Sequence, residues 1–346
     1  MIKAEIVADS LSPQGDRLTS VLVTMPRIIL SEMNTHRMLS KNTSSSRAIP
    51  FKKMVEAVQN NPFIPIAWQK EHIGMQGTEY LTEKEDIEYA IGTWLHARDA
   101  AIQEAKIITS GASVTKQLAN RLLEPFMWTT MLITGSREGW DNFFKLRNPV
   151  YETEIGVFKS KRDALISYAE GGVMANLPTT DLEWLQINKG QAEIHIIDLA
   201  EKIYDCIQES VPKQLKNEWH IPFEDKINEL YPNLTLEDKI KVSVGMAANT
   251  SYTIVGDGSI ITLEKATRIH DKCKELSHSS VFEHCARAMS DEEYECFLKG
   301  EREINKNANH WSDVEYFYDY DKIFGWCNNL KGFIPYRYLV DNKIDI

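Results

Sequence analysis

Residues 4–25 constrain the fold more than any other stretch. Two runs rich in β-branched residues, AEIVADS (4–10) and RLTSVLVTM (17–25), flank SPQGD (12–16). Pro, Gly and Asp between two β-formers predict a turn, so the chain opens with a β-hairpin. MWTTMLIT (127–134) reads as a further strand. Helical patterns fill much of the remainder: EKEDIEYAIGTWLHARDAAIQEAKI (83–107) as a long helix, SVTKQLANRLLEPF (113–126) as a shorter one, and SREGWDNFFKLR (136–147) as a third. In RIILSEMNTHRML (27–39), Ile28, Ile29, Met33 and Met38 recur at three-to-five spacing, which predicts an amphipathic helix running into a serine-rich loop. The class is α+β (α/β mixed) and rich in helices.

Residues 211–237, with three prolines and little periodicity, read as a connecting segment between 1–210 and 238–346. The 346 residues, 43% of them hydrophobic, suffice for one large domain or two closely packed ones, and the two regions are expected to pack as one globular unit. A formal charge of −11 argues against a general nucleic-acid binder, whose affinity rests on neutralising phosphates. Any basic site must be local. The five cysteines, Cys206, Cys273, Cys285, Cys296 and Cys327, form no CxxC pair, so neither a disulfide framework nor a zinc knuckle is indicated. The N-terminus lacks the basic and apolar regions of a signal peptide, and no run approaches the roughly 18–20 apolar residues that span a bilayer. A cytoplasmic protein without membrane contact is expected.

Three constellations carry chemistry. In EMNTHRMLSKNTSSSRAIP (32–50), Arg37 and Arg47 bracket Asn42 and Ser44–Ser46. Guanidinium groups with hydroxyl and backbone donors suit a phosphate, although a solvated turn has the same composition. Arg121, Asn142 and Arg147 form the second set; Asn142 and Arg147, five apart, can edge one pocket while Phe143, Phe144 and Leu146 pack the core. The third is HSSVFEH (278–284), which matches neither HExxH nor HxxEH and has no supporting ligand, so no metal is expected.

Taken together, these segments resemble the flavin-dependent thymidylate synthases, the ThyX family. That signature runs Arg-His-Arg, two residues, Ser, one residue, Asn-Glu, one residue, Ser, one residue, Arg, and here His36, Arg37, Ser40, Asn42, Ser45 and Arg47 stand at its positions. HSSVFEH is similar to the family's His-x-Ser/Thr-Pro-Phe-Glu-His at His278, Ser280, Phe282, Glu283 and His284. AANTSY (247–252), ANRLLEP, NFFKLR and ETEI (152–155) resemble four further family stretches.

The resemblance implies a ThyX-like fold with a central antiparallel or mixed sheet and flanking helices. It implies FAD bound by His36, Arg37, Asn42, Asn142, Leu146, His278, Ser280 and Glu283. Ser45, Arg47 and Arg121 would hold the phosphate and sugar of deoxyuridine monophosphate (dUMP), and Arg147 would polarise its ring and act catalytically. Methylenetetrahydrofolate and NADPH enter as co-substrates, and a homo-oligomer, a homotetramer in the family, is expected. No cysteine nucleophile is needed.

Thr35, Thr43 and Ala48 depart from the family pattern, where Arg, Glu and Tyr are usual. Loss of the Arg and the Glu together removes one charge of each sign, as if an ion pair had gone as a unit. The order also differs: HSSVFEH follows the arginine motif by more than two hundred residues, which reads as a circular permutation joined near 211–237. A hydroxymethylase, a methylase of another pyrimidine nucleotide, and a noncatalytic flavin or nucleotide scaffold are the alternatives.

Overall fold

The computed structural model describes residues 1–73, 77, 79–171, 176–216, 218–250, 261–298 and 329–344. The hairpin forms as its sequence predicts. Strands β1 (Lys3–Leu11) and β2 (Arg17–Pro26) pair antiparallel around a turn in which Gly15 adopts φ +91°, a conformation that costs glycine no Cβ clash. β3 (Ser40–Thr43) and β4 (Trp128–Ser136) extend the sheet antiparallel, and β7 (Lys213–Gln214) adds a parallel edge beside β1. The order β3-β4-β2-β1-β7 makes a five-stranded mixed sheet.

Period-two alternation explains how helices cover both faces. Val21, Val23, Met131 and Ile133 pack with α5 (Arg137–Arg147) and α8 (Ile194–Glu209), through Phe143, Ile196, Leu199 and Ile203. Their neighbours Leu22 and Leu132 turn to the opposite face and meet Val242 and Met246 of α10 (Leu236–Thr250). All nine residues of β4 are therefore buried. At Gly245 a Cβ would lie 2.9 Å from the Ala266 Cα, so α10 approaches α11 (Leu263–Glu275) more closely than any larger residue permits.

Around this unit lie α1 (Leu30–Asn34), α2 (Phe51–Asn60), α3 (Lys84–Gly111), α4 (Lys116–Ala119), the β5–β6 hairpin (Tyr151–Thr153, Gly156–Phe158), α6 (Lys161–Gly171) and α7 (Asp181–Ile187). Among the described residues no helix is long and apolar enough to cross a membrane.

Two expectations are corrected. The helix expected over 27–39 is a 3-10 turn (Arg27–Ile29) followed by the five residues of α1; it does not enter a loop but leads into β3. Ser40–Thr43 is short and polar, and becomes a strand because the β4 edge offers it a ladder, Ser40↔Thr134 to Thr43↔Met131. The shorter helix expected over 113–126 is α4 and then a 3-10 stretch, Asn120–Phe126, containing Pro125, which cannot supply an α-helical N–H. Residues 211–237 carry elements of their own: β7, β8 (Trp219–His220) and α9 (Glu224–Leu230). Pro212 and Pro222 fall outside these strands, where they break no ladder.

β8 pairs with β9 (Ala286–Ala288), and β9 with β10 (Phe333–Pro335), which leads into α12 (Tyr336–Asn342). Cys327 lies outside the described residues. A buried polar chain sews this small sheet to the large one. Ser10 Oγ meets His220 Nδ1 at 2.9 Å, His220 Nε2 meets Ser20 Oγ at 2.8 Å, Ser20 meets Thr134 at 2.5 Å, and Thr134 meets His284 Nδ1 at 2.8 Å. Burial pushes both imidazoles down to about 3, and both are neutral at pH 7.

Candidate functional site

Helix α5 places Arg147 at its last position. Ser136 caps the N-terminus by accepting from the Gly139 N–H, and Phe143 and Phe144 anchor the inner face, so the end of the helix is fixed. The Arg147 Nε donates to His36 Nε2 at 3.0 Å, and its Nη1 to Glu32 Oε2 at 3.3 Å. A guanidinium only donates, so His36 accepts through Nε2 and is neutral. Burial, then the cations Arg147 and Lys41, push this imidazole down to about 4. Phe143 packs edge-on against the ring at 4.9 Å. The arginine is held from two sides.

Residues 36–42 continue the site. Lys41 Nζ donates to the His36 carbonyl; burial brings the ammonium down to about 8, with the charge of Glu283 opposing. Glu283 ends the 3-10 turn Ser279–Glu283 and is paired with Arg337 of α12, which also reaches Asp341 at 3.3 Å. Asn42 joins three of the segments singled out in the sequence: its amide donates to the Ala247 carbonyl and accepts from Ser280 Oγ at 3.3 Å. Tyr252, the last residue of AANTSY, lies outside the described residues. His284, at the other end of HSSVFEH from the exposed His278, is buried on Thr134.

Beyond β3 the loop is pinned to β4 and the 3-10 stretch. Ser44 Oγ meets Thr129 Oγ1 at 2.6 Å, Ser46 Oγ donates to Glu124 at 2.6 Å, and Asn120 donates to the carbonyls of Ser46 and Ile49. Arg27 donates to the Ser44 carbonyl at 2.8 Å. Between the inward hydroxyls, Ser45 is half-buried and Arg47 exposed. Arg121 is 53% exposed and 4.0 Å from Glu124.

The expected site residues therefore fall into separate groups. Hydrogen bonds join His36 to Arg147 and Asn42 to Ser280, whereas Glu283 is paired with Arg337. Ser45, Arg47 and Arg121 lie along the outer side of the loop and the 3-10 stretch. Asn142, Leu146, Arg37 and His278 are exposed; Asn142 and Leu146 share the outer face of α5 at i, i+4 spacing, whereas Arg147 lies toward His36. The sequence reading missed Glu32, Lys41 and the Arg337–Glu283 pair. Only Glu32 carried a local signal, one helical turn before His36.

No protein-family model matches the chain, and no curated protein matches it significantly. Among solved structures it is similar to a UMP/dUMP methylase, PolB, from Streptomyces cacaoi bound with 5-Br UMP, at 13% identity and TM-score 0.40, covering 60% of this chain and 89% of that one. The same methylase bound with 5-Br dUMP matches at 12% identity and TM-score 0.38, over 56% of this chain and 67% of that one. Thymidylate synthase X (ThyX) from Helicobacter pylori with FAD and dUMP is similar at 13% identity and TM-score 0.30, over 55% of this chain and 67% of that one.

Proposed function

We propose that the chain is a flavin-dependent methylase of a pyrimidine nucleoside monophosphate, acting on dUMP with methylenetetrahydrofolate as carbon donor and NADPH as reductant. The junction at Asn42 carries this reading. Segments picked out by their resemblance to one signature, around residues 42, 247 and 280, meet at a single side-chain amide although the last lies 238 positions from the first. That contact supports the reading that the same segments occur here in permuted order.

The residues present fit FAD by the chemistry of their donor set. Arg37 and His278 are exposed polar groups suited to a pyrophosphate and a ring edge, and Leu146, 55% exposed, supplies an apolar surface for a planar ring system. Bound there, a flavin would supply hydride storage. The chain's own residues have narrower tasks. Ser45, Arg47 and Arg121 bind the nucleotide phosphate and sugar, and Arg147 donates to a ring carbonyl where charge develops as carbon 5 becomes nucleophilic. Neutral His36 orients that guanidinium without competing for charge. The site belongs to a cytoplasmic homo-oligomer, a homotetramer on the family pattern.

A second reading, methylation or hydroxymethylation of another pyrimidine nucleotide, is favoured by Thr35, Thr43 and Ala48 and by the carboxylate of Glu32 beside Arg147. The visible spectrum of the purified protein, before and after addition of dUMP, tests the first. Flavin bands that shift with the nucleotide support it; protein that stays colourless after incubation with FAD removes it. Product mass from dUMP, UMP and CMP separates methyl from hydroxymethyl transfer and one ring from another.

A further inference from the structure

In dUMP methylation as proposed, Arg147 has a task and the carboxylate beside it, Glu32, has none. The two side chains lie 3.3 Å apart and retain 20% and 34% of their exposure, so the pair is neither sealed in the core nor free on the surface. A partly exposed ion pair contributes little to stability. Its position is costly for ring chemistry as well, because a carboxylate beside Arg147 opposes any negative charge building on a ring bound there. Burial and the nearby Glu193 already push the Glu32 carboxyl upward, against the pull of Arg147. These penalties are offset if the carboxylate accepts a hydrogen from the ligand.

A uracil-type ring offers that hydrogen. Its imide edge sets N3–H, a donor, next to carbonyl oxygens that only accept. Glu32 and Arg147 set an acceptor next to a donor at hydrogen-bond separation. We propose that Glu32 accepts the imide N3–H of the bound pyrimidine while Arg147 donates to the adjacent carbonyl, so that the pair selects rings with a free imide. The proposal rests on the nucleotide reading above. Glu32 then determines specificity, and His36, on the far side of the guanidinium, holds the pair in register.

Equilibrium affinities of the full chain and of Glu32→Ala and Glu32→Gln for dUMP, N3-methyl-dUMP and dCMP test this without turnover. The parent should bind dUMP more tightly than its N3-methyl analogue by at least ~10-fold, the range of a hydrogen bond to a charged group. Glu32→Ala should bring the two within about threefold, and Glu32→Gln, whose amide oxygen still accepts but carries no charge, should fall between. Because the ratio of the two ligands is read, a general loosening of Arg147 cancels. A ratio equally large in Glu32→Ala overturns the proposal, and so does a parent that binds the two ligands equally; both leave the nucleotide reading standing. A parent that prefers dCMP, with the preference lost in Glu32→Ala, overturns imide recognition in favour of an exocyclic amine. Protein that binds none of the three overturns the nucleotide reading and this proposal together.

Discussion

Two neighbouring stretches of the chain, residues 36–42 and 44–47, behave in opposite ways. In residues 36–42, His36 is tied to Arg147 and Asn42 to Ala247 and Ser280, while Lys41 closes the stretch on itself by donating to the His36 carbonyl. In residues 44–47 the side chains alternate, Ser44 and Ser46 bonded inward to Thr129 and Glu124, Ser45 and Arg47 turned outward. The first stretch is preorganised by contacts within the chain. The second fixes its backbone by alternate hydroxyls and leaves the intervening donors for something outside it. Rigid support behind open donors is what anion binding needs, since little ordering then remains to be done on binding.

Acid should give the largest effect, through His36 of the built stretch together with the two imidazoles buried between the sheets. His36, His220 and His284 are neutral when folded, with values lowered to about 4, 3 and 3. At pH 7 the folded imidazoles are unprotonated and the unfolded ones mostly so, and the pH dependence they contribute there is small. As pH falls below about 6.5 the unfolded chain takes up protons that the folded chain refuses, and stability drops by up to ~1.4 kcal/mol per pH unit for each group. Denaturant midpoints should therefore fall steeply from pH 6.5 to 4, and His284→Gln should flatten the slope. A midpoint independent of pH over that range would mean that these imidazoles are not buried and neutral.

Arg147→Ala comes next, with turnover falling by roughly 10²- to 10³-fold, as when one preorganised donor is lost from a charge-stabilising site. Arg147→Lys should recover little of it, because a point charge cannot serve Glu32 and His36 together. Arg47→Ala probes the open stretch: nucleotide affinity should weaken ~10- to 100-fold, from the loss of a charge-assisted hydrogen bond, with the melting temperature unchanged. If melting falls instead and affinity holds, the guanidinium is structural and the contrast between the stretches disappears. The smallest pair sharpens it most. Ser44→Ala should cost about 1–2 kcal/mol of stability, by removing the buried hydroxyl that meets Thr129 Oγ1 and accepts from the Thr130 N–H, and should spare nucleotide affinity. Ser45→Ala should stay within about 0.5 kcal/mol in stability and weaken the nucleotide.

What the sequence disclosed follows the same division between local and distant causes. β1, β2 and β4 were legible because alternation and turn residues are local, and α3 and α5 because their periodicity is sustained. β3 was not, since four polar residues become a strand only on the edge of β4, and β7 and β8, two residues each, exist only through their partners. His220 stands in a proline-bounded stretch with no motif around it, yet it occupies the middle of the buried chain. The Glu32–Arg147 pair spans 115 positions, beyond the reach of any local pattern. Asn42 and Ser280 were singled out separately, and only the fold brings them together.

The joining of Asn42 to Ser280 and of Lys41's surroundings to Glu283 and Arg337 also bears on the birth of the protein. Synthesis proceeds from the N-terminus, so Arg47, Arg121 and Arg147 leave the ribosome well before the residues that close the loop behind them. At about 5–20 residues per second, the interval between Arg147 and Arg337 is roughly 10–40 s. Throughout it the nascent chain carries these three arginines before Arg337, the partner of Glu283, has been made. In each newly made molecule Asn42 thus waits for Ser280, and Lys41 for the Glu283–Arg337 pair, until residues 280–337 have been made and the C-terminal sheet docks.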